Sequence, residues 1–151
     1  MPLNRAFEGR EYPLAGPFEV TTESIREFAE AIGDANPMCR DAAIAKAAGH
    51  PDVVAPPTYL TKLSFVYSPQ IVLDPELGLD YSLVVHGEQE FVHVRPLCAG
   101  DTIVARPRIG SITARGRNEY MITEATIETI TGEKIAEVRS TIVSRGTAPQ
   151  E

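Results

Sequence analysis

The sequence predicts an α+β fold in which an antiparallel sheet wraps one apolar helix. Three observations carry that expectation. An amphipathic helical pattern covers residues 22–32, a Pro-bounded apolar segment runs from Thr58 to Tyr67, and the chain from Leu83 onward reads as strands separated by turn residues. Helices first and a meander after them is the α+β order, with the sheet free to wrap the apolar helix.

Residues 1–20 read as an extended lead-in restricted by Pro13 and Pro17, with Phe18-Glu19-Val20 as a short strand. Thr22 or Ser24 can cap the first helix, and Ser24 with Glu27 has capping-box spacing. Ile25, Phe28, Ala29 and Ile32 form one apolar stripe, and Gly33 stands where helices end in a left-handed residue. Asn36 precedes Pro37 and is pushed out of the helical region, so the chain opens into a loop. Asp41 then caps a short helix over Ala42 to Ala48, closed by Gly49.

The segment Thr58 to Tyr67 carries Tyr59, Leu60, Leu63, Phe65, Val66 and Tyr67, with Pro57 before it and Pro69 after it. Such a helix is expected to be central and buried on nearly all faces. Strands are expected over Leu83 to Val94, Thr102 to Ile112, Tyr120 to Ile130 and Lys134 to Val143. Their separators carry turn chemistry: Pro96 and Ala99-Gly100-Asp101, then Arg115-Gly116-Arg117-Asn118, then Thr131-Gly132-Glu133. In the last strand Ala136, Val138 and Ile142 alternate against Glu137, Arg139 and Thr141. Pro107 suggests an edge position or a bulge. Residues 1–151 read as one domain, with 145–151 a loose tail.

The length of 151 residues suffices for a real core, and 43% hydrophobic with 23% charged residues is ordinary for a globular protein. No apolar run is long enough to span a bilayer, and the first sixteen residues lack the apolar middle of a signal peptide. Two cysteines, Cys39 and Cys98, make no disulfide framework, so a cytoplasmic setting is expected. A net charge of −7 argues against nucleic acid as partner. Arg106 and Arg108 share a strand face that could meet coenzyme A phosphates or an acidic carrier protein, although a solvated face is the plainer reading.

His50, His86 and His93 with the two cysteines have no metal-ligand spacing, and His86 and His93 face opposite sides of a regular strand. Neither a metal nor a cofactor is expected. His50, or His86 redirected by a bulge at Gly87, could act as a base, with a structural or solvent-facing role the plainer reading of both. No phosphate-binding Gly-rich loop or nucleophile elbow is present.

The run Phe28…Gly33-Asp34-Ala35-Asn36-Pro37…Asp41, followed by Ala47-Ala48-Gly49 and Val54-Ala55-Pro56, resembles the hydratase-2 motif of MaoC-like dehydratases. Arg95 to Thr102 resembles a strand-turn-strand of the same family, and the similarity extends from the first helix to the last strand. The resemblance implies a single hot-dog fold, with Pro56, Thr58, Tyr59 and Leu63 as acyl-thioester-binding positions. It also implies a catalytic Asp and a His five residues later. The Asp is Asp34, but Cys39 stands where the His would be.

Dehydrating a β-hydroxyacyl thioester needs a base, a donor for the leaving oxygen, and hydrogen bonds to the thioester carbonyl. Imidazole, with a reference pKa of about 6.5, suits neutral pH; a thiol, at about 8.5, does not. The family often places Gly at the start of its central helix, where a backbone N–H can approach the thioester. Here Pro56-Pro57 donate none. No complete catalytic set is therefore expected from the degenerate motif Asp34, Asn36 and Cys39.

This pattern resembles the non-catalytic partner subunit of heterodimeric (3R)-hydroxyacyl dehydratases of type-II fatty acid synthesis. It implies a second hot-dog subunit with an intact Asp/His pair, or a homodimer, and an acyl-carrier-protein or coenzyme A thioester as ligand. Two alternatives remain open: a self-sufficient hydratase using Asp34, and a non-catalytic acyl-thioester binding module. A hot-dog thioesterase ranks below these.

Overall fold

The structure, a computed structural model, describes residues 1–150. The elements run β1 (Ala15–Glu19), α1 (Thr22–Ala31), α2 (Ala42–Ala47), α3 (Thr61–Val72), β2 (Val84–His93), β3 (Thr102–Arg115), β4 (Asn118–Thr129) and β5 (Lys134–Ser144). The five strands form one antiparallel sheet in the order β1-β3-β4-β5-β2. Its inner face packs on α3 through Leu63, Tyr67 and Ile71, all nearly fully buried. This is the α+β hot-dog arrangement that the sequence predicts.

α1 begins one step earlier than expected. Thr21, not Thr22 or Ser24, is the N-cap: its hydroxyl accepts from the Ser24 N–H at 3.0 Å while the Ser24 hydroxyl accepts from the Thr21 N–H at 3.2 Å. Ser24 thus fills the place expected of Glu27 in the reciprocal box. Ile25 and Ala29 are buried while Ile32 is exposed, and Gly33 takes the left-handed φ of +70° that ends the helix. The Asp41 carboxylate accepts from Ala43 N–H at 2.8 Å and Ile44 N–H at 3.3 Å, capping α2 as expected.

α3 departs further from expectation. It starts at Thr61 and runs through Pro69 rather than stopping before it. An interior proline costs about 3 kcal/mol through the lost N–H and the clash with the preceding turn. Tyr67 and Ile71 on either side are buried, each contributing about 1.5–3 kcal/mol, so packing holds the turn that propensity would break. Nor is the helix buried on nearly all faces. Phe65 is 77% exposed and Val66 53%, because one sheet covers one side of the helix only.

Pro107 is neither on an edge strand nor at the bulge of β3, which falls between Ile109 and Ser111. It lies where β1 has ended, and its carbonyl accepts from the Tyr12 N–H at 2.9 Å. A residue's N–H and C=O point to the same side of a strand, so the ladder to β4 loses nothing at Pro107. The Arg106 and Arg108 guanidiniums are held by Glu128 at 3.0 Å and by Glu124, which also receives Arg139 at 3.7 Å. These exposed cross-strand pairs are worth about 0.2–1 kcal/mol each, and the stripe is a solvated strand face.

Residues 145–148 are not loose. Arg145 N–H donates to the Leu83 carbonyl, Ala148 N–H to that of Arg117, and the buried Thr147 hydroxyl donates to Glu119 at 2.7 Å. The same buried Glu119 oxygen accepts the Leu3 N–H at 2.9 Å, so one carboxylate gathers both ends of the chain. Glu151 lies outside the described residues.

The loop between β2 and β3 is closed by a bidentate ion pair. Asp101 accepts two bonds from Arg95 at 2.9 Å and one from the Cys98 N–H at 2.9 Å, while Arg95 also reaches Glu133 at 2.8 Å. Burial pushes the Asp101 carboxyl up, but the Arg95 and Cys98 bonds outweigh it and hold the pKa below the usual carboxylate range. A depressed folded pKa contributes stability that is present above the unfolded value of about 3.9 and is lost as pH falls through the folded value. Asp101→Asn is expected to lower unfolding free energy by about 1–3 kcal/mol at pH 7 and to flatten its decline below pH 4, as read by urea titration across pH. An unchanged acid slope would contradict the assignment.

Candidate functional site

The loop between α1 and α2 is built by side chains bonding to nearby backbone. Asp34 N–H donates to the Ala29 carbonyl at 2.8 Å, closing α1. The Asp34 carboxylate accepts from the Asn36 N–H at 2.9 Å, and the Asn36 side-chain oxygen accepts from the Met38 N–H at 3.1 Å. These two turns feed a 3₁₀ turn over Pro37–Cys39. Arg40 donates to the Asp34 carbonyl at 2.9 Å and pairs with Glu30 at 3.4 Å, bracing the loop from outside.

Two further segments complete a cavity of about 380 Å³. Val54 N–H donates to the Met38 carbonyl at 3.0 Å and Ala55 N–H to that of Leu97 at 2.8 Å, bringing Val54 to Pro57 against the loop. The wall includes Asp34, Asn36, Cys39, Pro56 and Tyr59, so the motif residues and two of the expected binding positions meet in one place. Thr58 and Leu63 do not line it: Thr58 is exposed on the turn before α3, and Leu63 belongs to the core. The Tyr59 ring is buried, with its hydroxyl 2.7 Å from the Ser24 hydroxyl. Burial raises the Tyr59 pKa despite that bond.

Cys39 is 2% exposed. Burial pushes its thiol pKa up, the Asp34 carboxylate pushes the same way, and Arg40 opposes without reversing it. At neutral pH the group is a protonated thiol, unable to accept a proton from an α-carbon.

His50 lines the cavity, and so does His93, a residue the sequence pattern does not bring there. The cause is a bulge in β2 between His86 and Glu88. It shifts side-chain parity, so His86, opposite Ile142, and His93, opposite Ala136, share the inner face instead of opposite ones. The Gly87 next to His86 was the available signal. His93 Nε2 is 2.8 Å from the Pro57 carbonyl, engaged with the turn that precedes α3. His86 lines a separate cavity of about 400 Å³ between α3 and the inner sheet face, with Phe65, Ser68, Gln89 and Ser140. Among the described residues no group of three or more His, Cys, Asp or Glu side chains is gathered for a metal, and no helix is long and apolar enough to cross a membrane.

Buried, protonated thiols react slowly with alkylating reagents. Folded protein at pH 7.5 is expected to leave Cys39 and Cys98 unlabelled by iodoacetamide for hours, with both labelled within minutes in urea, by intact-mass measurement. Rapid labelling of Cys39 in the folded state would show a thiolate and reopen a chemical role for it.

The family profile described as "FAS1-like, dehydratase domain region" matches residues 6–138. A UPF0336 protein of Saccharopolyspora erythraea is 52% identical over 148 residues, covering 98% of this chain and 95% of that protein. Among solved structures, the C-terminally truncated HadBC (3R-hydroxyacyl-ACP dehydratase) complex of Mycobacterium tuberculosis gives a chain 28% identical with a TM-score of 0.78, covering 90% of this chain and 96% of that one. A MaoC-like dehydratase superposes with a TM-score of 0.87 at 26% identity, with 93% of this chain matching 43% of that longer one. The ChsH1-ChsH2 complex of Mycobacterium tuberculosis supplies a further match at 25% identity and a TM-score of 0.70, over 90% of each chain. The chain belongs to the FAS1-like dehydratase-region family of MaoC-like hot-dog proteins.

Proposed function

We propose that this protein is the non-catalytic partner subunit of a (3R)-hydroxyacyl-thioester dehydratase in cytoplasmic type-II fatty acid synthesis. The observation that carries the reading is Cys39: a buried thiol, kept protonated, occupies the position where the family's proton-transfer imidazole stands. Asp34 and Asn36 are retained for the loop they build, their side-chain oxygens bonded to backbone N–H groups. Pro56 and Pro57 add a second deficit, since neither can offer an N–H to a thioester oxygen. A second hot-dog subunit supplies the Asp/His pair, in keeping with the HadBC and ChsH1-ChsH2 complexes among the structural relatives.

In this role the chain contributes volume rather than chemistry. The cavity beside α3, with Phe65, Pro69, Val72 and Ile142 on its walls, would take the distal part of an acyl chain delivered on acyl carrier protein or coenzyme A.

A second reading has one observation in its favour: His50 lines the same cavity as Asp34, and while its backbone N–H donates to the Ala45 carbonyl at 3.0 Å, its imidazole makes no hydrogen bond among the described residues. It would make the chain a self-sufficient hydratase with a substitute base. Turnover separates the two. The pure chain is expected to hydrate crotonyl-CoA at or below about one-thousandth of the rate of its co-purified complex with a mate, following the size of proton-transfer contributions. Asp34→Ala is expected to change the complex's kcat by less than about twofold. Robust turnover by the pure chain, abolished by Asp34→Ala, would replace this proposal with the self-sufficient one.

A further inference from the structure

One long edge of the sheet is open. On the far side, β1 covers β3 up to Ala105, and the N-terminal segment continues the cover through Tyr12 N–H to the Pro107 carbonyl and Gly9 N–H to that of Ile109. On the near side, β2 pairs with β5 alone among the described residues, leaving a ten-residue edge without a neighbour among them. Apolar residues flank it: Val92 is 56% exposed, Val94 64% and Tyr81 68%, with Phe65 of α3 across the second cavity. An edge of this kind invites another strand unless something on it discriminates.

Glu88 and Glu90 supply the discrimination. They stand opposite Thr141 and Arg139 on β5, which places both on the outer face of the edge strand. Among the described residues neither makes an ion pair, and Arg139 turns to Glu124 instead. In an antiparallel pair, residues directly opposite one another share a face. A second copy added by two-fold symmetry about residue 89 would set Glu88 against Glu90 twice. An axis through residue 88 or 90 would set one glutamate against itself. Every register centred on this stretch therefore juxtaposes carboxylates, and like charges directly opposite destabilise a strand pair.

We infer that the β2 edge selects its occupant by charge: it accepts a different hot-dog chain whose facing strand carries Lys or Arg opposite Glu88 and Glu90, and it disfavours a second copy of this chain. The inference rests on the partner-subunit reading and adds what kind of mate the edge fits.

Sedimentation equilibrium on the 151-residue chain tests it without reference to activity. Glu88→Gln/Glu90→Gln is expected to self-associate at least about fivefold more tightly than wild type at low salt, the gap closing toward 1 M salt as screening removes the repulsion. Glu8→Gln/Glu27→Gln, with the same change in net charge at exposed sites away from the edge, is expected to leave self-association as in wild type. Mixing wild type with Glu88→Lys/Glu90→Lys is expected to give a mixed dimer tighter than either homodimer. Equal self-association of wild type and the edge Gln pair overturns the inference, as does an equal effect from the distant pair. An inactive complex with a well-fitting basic mate would instead contradict the functional reading while leaving the edge selectivity standing.

Discussion

A single five-stranded sheet has one concave face, and α3 carries apolar side chains on more than the side that face can cover. Leu63, Tyr67 and Ile71 are buried against the sheet, while Phe65 and Val66 are left on the opposite flank. Much of the rest follows from that mismatch. The cavity beside α3 lies where the helix is covered incompletely, and Tyr81, Val84 and His86 on the β2 side are among the residues that line it. The same side carries the open strand edge. These two features together are the physical basis of the partner-subunit proposal.

The loop between α1 and α2 is held together by its own side chains. Asp34, Asn36 and Asp41 each bond to backbone within three residues, and the Arg95–Asp101 pair fixes the loop that carries Leu97 to the cavity wall. This framework is held by its own hydrogen bonds, so the geometry of the Gly-Asp-x-Asn-Pro loop does not depend on an imidazole at position 39. Cys39 then packs as a small apolar side chain in the main core cluster.

Much of this was legible in the sequence, wherever the signal is local. Gly33, Asp41 and Gly49 announced helix ends through turn chemistry, and the strand separators through 132 placed the meander. Features that depend on burial leave a weaker local signal. The cap of α1 fell on Thr21 because its extended backbone, not residue type alone, decides which hydroxyl reaches the N3 N–H. Pro69 looked like a terminator because the packing of Tyr67 and Ile71 is invisible to propensity. Phe65 looked like core because an apolar run does not say how many layers cover it. The place of His93 is hidden for a sharper reason: a single-residue bulge at Gly87 reverses the face of every side chain on one side of it. The order of the tail is not legible locally, because the long-range anchor of Thr147 is Glu119, far away in sequence.

The central claim is that this chain shapes an acyl pocket and leaves the chemistry to its mate. The most direct measurement is a crystal structure of the complex with a long-chain 3-hydroxyacyl thioester bound to a mate whose catalytic His has been replaced. The account predicts the thioester carbonyl and β-hydroxyl at the mate's site, with distal acyl carbons beside Phe65, Ser68 and Ile142 of this chain. A thioester carbonyl seated against Asp34 and His50 of this chain would contradict it.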